Sequence, residues 1–131
     1  MKTVKRFEDL EIWQEAKALA VIIYRATNKG KFVKDFGLKD QIQRAAVSIA
    51  SNIAEGFERK TNKDFIKFLY YAKGSTGEVR TQLHIARDLE YLSDEDFNEI
   101  VIKTDLLSAK IGKLISYLAH STLKQANTTT R

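Results

Sequence analysis

The chain has 131 residues, of which 44% are hydrophobic and 30% are charged, as in an ordinary soluble globular domain. It contains no cysteine, which excludes disulfides and thiolate metal ligands, and no proline, which favours long uninterrupted helices. The net charge of +5 permits a nucleic-acid partner without requiring one. No run approaches the ~20 apolar residues that span a membrane, and the basic N-terminus lacks the apolar run of a secretory signal, so we expect a cytoplasmic location and no membrane partner.

The first predicted helix covers about residues 9–28. Its polar residues occupy only a narrow sector, which predicts that the helix is covered on more than one side. Gly30 suits the left-handed backbone conformation that follows many helices. In the connection that comes next, Phe32 and Phe36 are expected to fold back onto the core.

The second predicted helix, about residues 38–58, has two distinct sides. Its apolar arc covers roughly 200°, well beyond the ~100° stripe of an ordinary amphipathic helix. The other side is a polar stripe that consists of Gln41, Arg44, Ser48, Asn52, Glu55 and Arg59. We favour a structural network for this stripe, because buried polar groups must be hydrogen-bonded and no aromatic residue is interleaved for base stacking. A ligand or nucleic-acid site is the alternative.

The third predicted helix covers about residues 62–91, and Thr61 with Asp64 forms a start that resembles a capping box. Gly74 and Gly77 lie in its interior, where each glycine costs about 0.8–1 kcal/mol relative to alanine. Close packing of the backbone is therefore expected there. Phosphate binding, the alternative, is disfavoured because this segment follows no strand and lacks the Gly-Lys-Ser/Thr ending of a phosphate loop.

A short turn would make the second and third helices antiparallel and so determine which residues face each other. Ser48 is then expected opposite Gly74 and Ser75, and Arg44 opposite Glu78. Arg44 and Glu78 are predicted to form a buried ion pair, whose disruption would cost roughly 3–5 kcal/mol. The complete predicted structural polar network consists of Gln41, Arg44, Ser48, Asn52, Glu55, Ser75 and Glu78.

Ser93 is expected to cap a fourth helix of about residues 94–119, and the periodicity is lost from His120. The pattern therefore predicts an all-α protein, an antiparallel up-down four-helix bundle, with residues 1–119 as a single domain. Residues 120–131 are predicted to be a flexible C-terminal tail.

Positive charge concentrates at one end of this bundle and negative charge at the other. At the basic end, free backbone N–H groups and the dipole of the third helix would attract anions. A solvated lysine-rich surface is the alternative. The candidate nucleic-acid-binding residues are Lys5, Arg6, Arg59, Lys60, Lys63 and Lys67.

The wide apolar arcs of the first two helices predict a homo-oligomer. A monomer would expose a larger apolar patch than soluble monomers usually tolerate. The candidate interface residues are Trp13, Ala20, Val21, Tyr24, Val47, Ala50 and Ala54.

Signals for catalysis are weak. His84 and His120 are the only histidines, and neither belongs to a zinc or di-iron motif. Ser48 has no histidine in its helix to act as a base. We therefore expect no enzymatic activity, no cofactor and no metal site.

Several segments of the chain resemble one known family over about residues 7–118. These segments are Phe7-Glu-Asp-Leu-Glu-Ile-Trp13, Gln41-Ile-Gln-Arg-Ala-Ala-Val-Ser-Ile49, Ser51-Asn-Ile-Ala-Glu-Gly56, and Ala72-x-Gly-Ser75 followed by Glu78. They are similar to the bacterial four-helix-bundle proteins encoded in 23S rRNA intervening sequences. The chain departs from that family at Gln43, where many members carry a second arginine.

The resemblance implies a small bundle that assembles as a ring-like homo-oligomer, a homopentamer. The fold is also similar to the accessory variability protein of diversity-generating retroelements, a basic pentamer that works with a reverse transcriptase. The first functional hypothesis is a non-enzymatic module that binds RNA, DNA or a nucleoprotein partner through its basic end. The alternative is a structural or protein-interaction ring without nucleic-acid binding.

Overall fold

The computed structural model describes residues 4–129, with side chains described for residues 4–121. Four α-helices and no strand occur in this part of the chain, which confirms the predicted all-α class. The helices are α1 (Glu11–Thr27), α2 (Phe36–Phe57), α3 (Asn62–Asp88) and α4 (Asp94–Thr129), with 3-10 turns at Phe7–Asp9 and Phe32–Lys34. No helix among the described residues is both long and apolar enough to cross a membrane.

The predicted helix boundaries are confirmed where a local signal defines them. The Thr61 hydroxyl accepts a hydrogen bond from the Asp64 backbone N–H at 3.1 Å, at the start of α3. The Ser93 hydroxyl accepts one from the Asp96 N–H at 3.0 Å, at the start of α4. Gly30 has a φ of +61°, the left-handed conformation that glycine adopts without steric cost.

The end of α4 was predicted too early. The helical backbone continues to Thr129, through most of the segment that was predicted to be a tail. The side chains of residues 122–131 lie outside the described part of the chain, and the flexibility of residues 120–131 stays a prediction.

All four helices contribute to one apolar core. Each helix packs against its neighbours in the sequence, and α1 also contacts α4. The largest fully buried apolar side chains are Ile23, Phe32, Ile42, Ile49, Ile53, Leu69, Val79, Leu83 and Ile111. Burial of one such side chain contributes roughly 1.5–3 kcal/mol, so this core provides most of the stability.

The two phenylalanines between α1 and α2 have opposite environments. Phe32 is fully buried, as predicted, and its ring lies 5.3 Å from that of Tyr91. The Tyr91 hydroxyl donates a 3.0 Å hydrogen bond to Asp35, the N-cap residue of α2, and this bond raises the pKa of Tyr91. Phe36 is 74% exposed, so the prediction that it folds onto the core was wrong. As the first residue of α2, it lies on the outward side of the helix.

Close approach between α2 and α3 occurs at Gly56. A Cβ atom at this position would lie 2.8 Å from Phe68 Cβ and 2.9 Å from Phe65 Cδ1. At Gly74 and Gly77, in contrast, an added Cβ would meet no atom of another element within 4 Å. The prediction that these two glycines serve close packing was therefore wrong for the isolated chain.

Candidate functional site

The seven candidate interface residues line a single groove between α1 and α2. The groove has a volume of about 630 Å³ and an apolar floor that includes Ala20, Ala50 and Ala54. Val21, Tyr24 and Val47 are 43%, 40% and 42% exposed, so the groove is open to solvent in a single chain. Its lining residues are Phe7, Trp13, Lys17, Ala20, Val21, Tyr24, Arg25, Asn28, Val47, Ala50, Ser51 and Ala54.

Aromatic and cationic groups border this groove. The Phe7 ring lies 5.2 Å from the Trp13 ring, and Lys17 Nζ lies 5.4 Å from the same indole. Phe7 was not among the predicted interface residues. Its position six residues before Trp13, on a 3-10 turn that leads into α1, was the available signal. The groove offers mainly apolar surface, which suits contact with a protein better than chemical catalysis.

Two of the six candidate nucleic-acid-binding residues form ion pairs with carboxylates close by in the sequence. Arg6 hydrogen-bonds Glu8 at 2.8 Å, which raises the pKa of Arg6 and lowers the pKa of Glu8. Arg59 pairs with Glu55 at 2.7 Å, and its guanidinium lies 4.8 Å from the Phe68 ring centroid. A neighbouring carboxylate therefore offsets the positive charge of each arginine.

The lysines of the basic end differ from the two arginines in their ion pairing. Lys60, Lys63 and Lys67 are exposed, and none of them has a carboxylate within 4.0 Å among the described residues. They lie in the turn before α3 and along its first turns. Lys5 is also exposed, and it precedes Phe7, which lines the groove together with Ala54 near the end of α2. The structure thus places Lys5 at the same end of the molecule as the three lysines.

The middle of the polar stripe joins α2 to α3. Asn52 Nδ2 donates to both the carbonyl and the hydroxyl of Ser48 at 2.9 Å. The Ser75 hydroxyl donates to the Ser48 hydroxyl at 3.0 Å. The predicted Ser48–Ser75 pairing is therefore confirmed, and three members of the predicted network form a connected hydrogen-bonded group.

The charged members of the stripe behave differently from the prediction. Arg44 pairs with Asp40 at 3.0 Å, one turn earlier on the same helix, and its side chain is 81% exposed. Glu55 pairs with Arg59 in the same local manner. The prediction of a buried ion pair between Arg44 and Glu78 was therefore wrong. An exposed arginine can pair with a carboxylate one turn away on its own helix and keep its hydration, which a buried pair would lose.

A small polar groove remains between α2 and α3 beside this network. It has a volume of about 300 Å³ and is lined by Gln41, Arg44, Ala45, Ser48, Glu78 and Gln82. Gln82 is buried, and its Oε1 atom has no hydrogen-bond partner within the described chain. Gln82 was not among the predicted network residues, although it follows Glu78 by one helical turn.

No group of histidine, aspartate or glutamate side chains in the described part of the chain is arranged to hold a metal ion. His84 packs its ring against Phe97 at 5.0 Å. The expected absence of a metal, a cofactor and an enzymatic activity stays a prediction.

The family model for the 23S rRNA-intervening sequence protein matches residues 8–113. The chain belongs to this family. No curated protein matches the sequence. Among solved structures, it is similar to a protein of unknown function from the S23 ribosomal protein family of Bacteroides thetaiotaomicron, with 24% identity and a TM-score of 0.73. The similarity covers 79% of this chain and 97% of that protein, and it concerns the fold alone.

Membership of the 23S rRNA-intervening sequence protein family confirms the resemblance found in the sequence. The matched residues include every lining residue of the apolar groove except Phe7, the lysines Lys60, Lys63 and Lys67, and the Ser48–Ser75 contact. Nucleic-acid binding and assembly are not part of what this match establishes.

Proposed function

We propose that this protein is a non-enzymatic, cytoplasmic, homo-oligomeric helical-bundle module that binds RNA, or a nucleoprotein partner that presents RNA, through its basic end. The observation that carries this proposal is a set of three exposed lysines at the start of α3, Lys60, Lys63 and Lys67, which have no carboxylate within 4.0 Å in the part of the chain that the structure describes. The positive end of the α3 dipole lies at the same place and favours an anionic ligand.

An up-down antiparallel arrangement of the helices would concentrate these charges. Gly56, near the end of α2, approaches Phe65 near the start of α3. Lys73, in the middle of α3, donates hydrogen bonds to the Ser108 carbonyl at 3.1 Å and its hydroxyl at 3.0 Å. Arg80 lies further along α3, and it pairs with Asp105, which precedes Ser108 on α4. Contacts that advance along α3 while they go back along α4 are expected when consecutive helices run in opposite directions.

The proposed oligomer uses the groove between α1 and α2. The groove groups several exposed apolar side chains in one place, as surfaces that bind another protein often do. A second copy of the chain that covers Val21, Tyr24 and Val47 would remove these side chains from water. The family resemblance favours a ring of five copies, and a ring would repeat the basic end around its rim.

Salt dependence provides the functional test. A structured RNA is titrated with the protein at about 50 and 200 mM salt, and the affinity is expected to fall steeply because phosphate contacts release counterions. Substitution of Lys60, Lys63 and Lys67 by alanine should weaken binding and flatten the salt dependence. Failure to bind RNA at low salt would refute the proposed function.

A matched control is available at the opposite end of the molecule. Lys29, Lys31 and Lys34 are also exposed, and they lie near the connection where Asp35 bonds Tyr91. Their triple alanine substitution changes the net charge by the same amount but should leave RNA affinity nearly unchanged. Equal losses in both triple variants would indicate that only the total charge matters, contrary to a site at the start of α3.

The second candidate function is a structural or protein-interaction ring without nucleic-acid binding. The apolar groove favours it, because that groove needs a protein surface and the lysines could serve solubility alone. A stable oligomer that fails to bind RNA at low salt would support this alternative.

A further inference from the structure

We propose that the outer face of α3 binds unpaired RNA bases, which stack on Tyr70 and Tyr71 beside the phosphate-binding lysines. This inference rests on the proposed RNA binding and specifies the form of RNA. Tyr70 and Tyr71 are 58% and 50% exposed, although a tyrosine ring is large and mostly apolar. They follow Lys67 by three and four residues, so all three side chains lie on neighbouring positions of one helical face.

The two rings differ in how firmly they are held. The Tyr71 ring makes an edge contact with Phe68, with centroids 5.6 Å apart and an interplanar angle of 89°. Phe68 in turn carries the Arg59 guanidinium over its ring. Tyr70 has no ring contact or hydrogen bond within the described part of the chain. One ring is therefore braced and the other is free, and both leave an aromatic face available to a base.

Gly74 extends this surface by one further turn. A glycine within a helix is disfavoured, and the space beside Gly74 is empty of other protein atoms within 4 Å. Packing inside the chain therefore does not explain this residue. The missing side chain leaves room beside Tyr70 and Tyr71 for a base to approach the helix closely.

The charges on α3 limit the extent of the proposed site. Lys63 and Lys67 precede the tyrosines, and Glu78 follows Gly74 by one turn. Phosphates are attracted to the lysine side and repelled by the Glu78 carboxylate. The proposed site therefore begins at the turn before α3 and ends before Glu78, with bases over the tyrosines and the backbone over the lysines.

Unpaired RNA fits this face better than a duplex. Bases in a duplex are stacked on each other, and their faces cannot reach an aromatic side chain. A duplex could use the lysines but not the tyrosines. Aromatic platforms next to a positive groove are the usual means of binding single strands without reading their sequence.

The test compares a uridine-rich RNA of about 12 nucleotides, which is within the usual length of single-strand sites, with a duplex RNA of the same length. Binding is followed by fluorescence anisotropy at low salt. Tyr70→Ala together with Tyr71→Ala should reduce affinity for the single strand by about tenfold or more, and affinity for the duplex by much less. Tyr70→Phe with Tyr71→Phe retains the rings and should bind like the unmodified protein.

A second variant separates binding from folding. Gly74→Gln introduces a good helix-forming residue into open space, so its melting temperature should equal or exceed that of the unmodified chain. Its affinity for the single strand should nevertheless fall, because the new side chain occupies the space beside the tyrosines. An unchanged affinity in this variant would contradict the proposed position of the base.

Three outcomes would overturn the inference. If the lysine variants lose RNA binding but the tyrosine-to-alanine variants do not, RNA binding stands and base stacking falls. If the tyrosine-to-alanine variants lose single-strand and duplex binding equally, unpaired bases are not what the rings contact. If those variants instead reduce the molecular mass in light scattering, the outer face of α3 is an interface between copies.

Discussion

The contacts on the two sides of α2 could not be predicted equally well from the sequence. On the side facing α1, all seven predicted interface residues, four from α1 and three from α2, line one apolar groove. On the side facing α3, Ser48 and Ser75 meet as expected, but Arg44 turns away from Glu78 to Asp40. The contacts on the first side follow from which positions of the helix are apolar. The contacts on the second side depend on which of several possible polar partners each side chain binds.

This difference has a physical basis. An apolar side chain gains free energy from any burial, so helical periodicity alone predicts where it lies. A long charged side chain can satisfy its charge with several partners of nearly equal free energy, and water is one of them. Short polar side chains such as those of Ser48 and Ser75 reach only close neighbours, so their pairing follows from the order of the helices.

The largest effect on stability is expected from a substitution at Gly56, where α2 and α3 approach closely. Gly56→Ala should lower the free energy of unfolding by about 1–3 kcal/mol, because the new Cβ would overlap Phe65 and Phe68. Chemical denaturation measures this loss. Gly74→Ala is the matched control, and it should stabilise the protein by about 0.8–1 kcal/mol since nothing obstructs its Cβ.

These two glycines reverse the expectation from the sequence, which placed close packing at Gly74. A destabilised Gly74→Ala variant, or a Gly56→Ala variant as stable as the unmodified chain, would contradict the packing described for α2 and α3.

A smaller effect is expected from the hydrogen bond between α2 and α3. Ser75 is buried, and Ser75→Ala removes its bond to Ser48, which should cost about 1 kcal/mol. Ser116→Ala on an exposed position of α4 is the control and should change stability by less than about 0.5 kcal/mol. A double-mutant cycle of Ser48→Ala and Ser75→Ala measures the coupling directly, and zero coupling would disprove a structural bond between them.

The smallest effect is expected for the charged residues of the same side. Glu78→Ala should change the free energy of unfolding by no more than about 0.5 kcal/mol, because Glu78 is exposed and unpaired among the described residues. Arg44→Met removes only an exposed pair with Asp40 and should cost about 0.3–0.5 kcal/mol. A loss of 3 kcal/mol or more in Glu78→Ala would restore the buried pair that the sequence suggested.

The sequence therefore predicted the helices, the core and the groove more accurately than the details of contact. Helix starts at Thr61 and Ser93 followed from capping residues. The end of α4 did not, because no glycine or proline lies between the predicted end at residue 119 and Thr129. The exposed tyrosines Tyr70 and Tyr71 were not among the predicted site residues. Their spacing from Lys67 was the signal that could have revealed them.

The most direct measurement on the groove is the molecular mass of the protein in solution by light scattering, for the unmodified chain and for Val47→Asp. Val47 is 42% exposed in one chain, so an aspartate there should not prevent folding. A carboxylate in the apolar contact between two copies would lose its hydration, and this cost should dissociate them. We expect a stable oligomer for the unmodified protein at micromolar concentration and a folded monomer for Val47→Asp. A mass of 15.0 kDa for the unmodified protein, or an oligomer unaffected by Val47→Asp, would contradict assembly through the groove between α1 and α2.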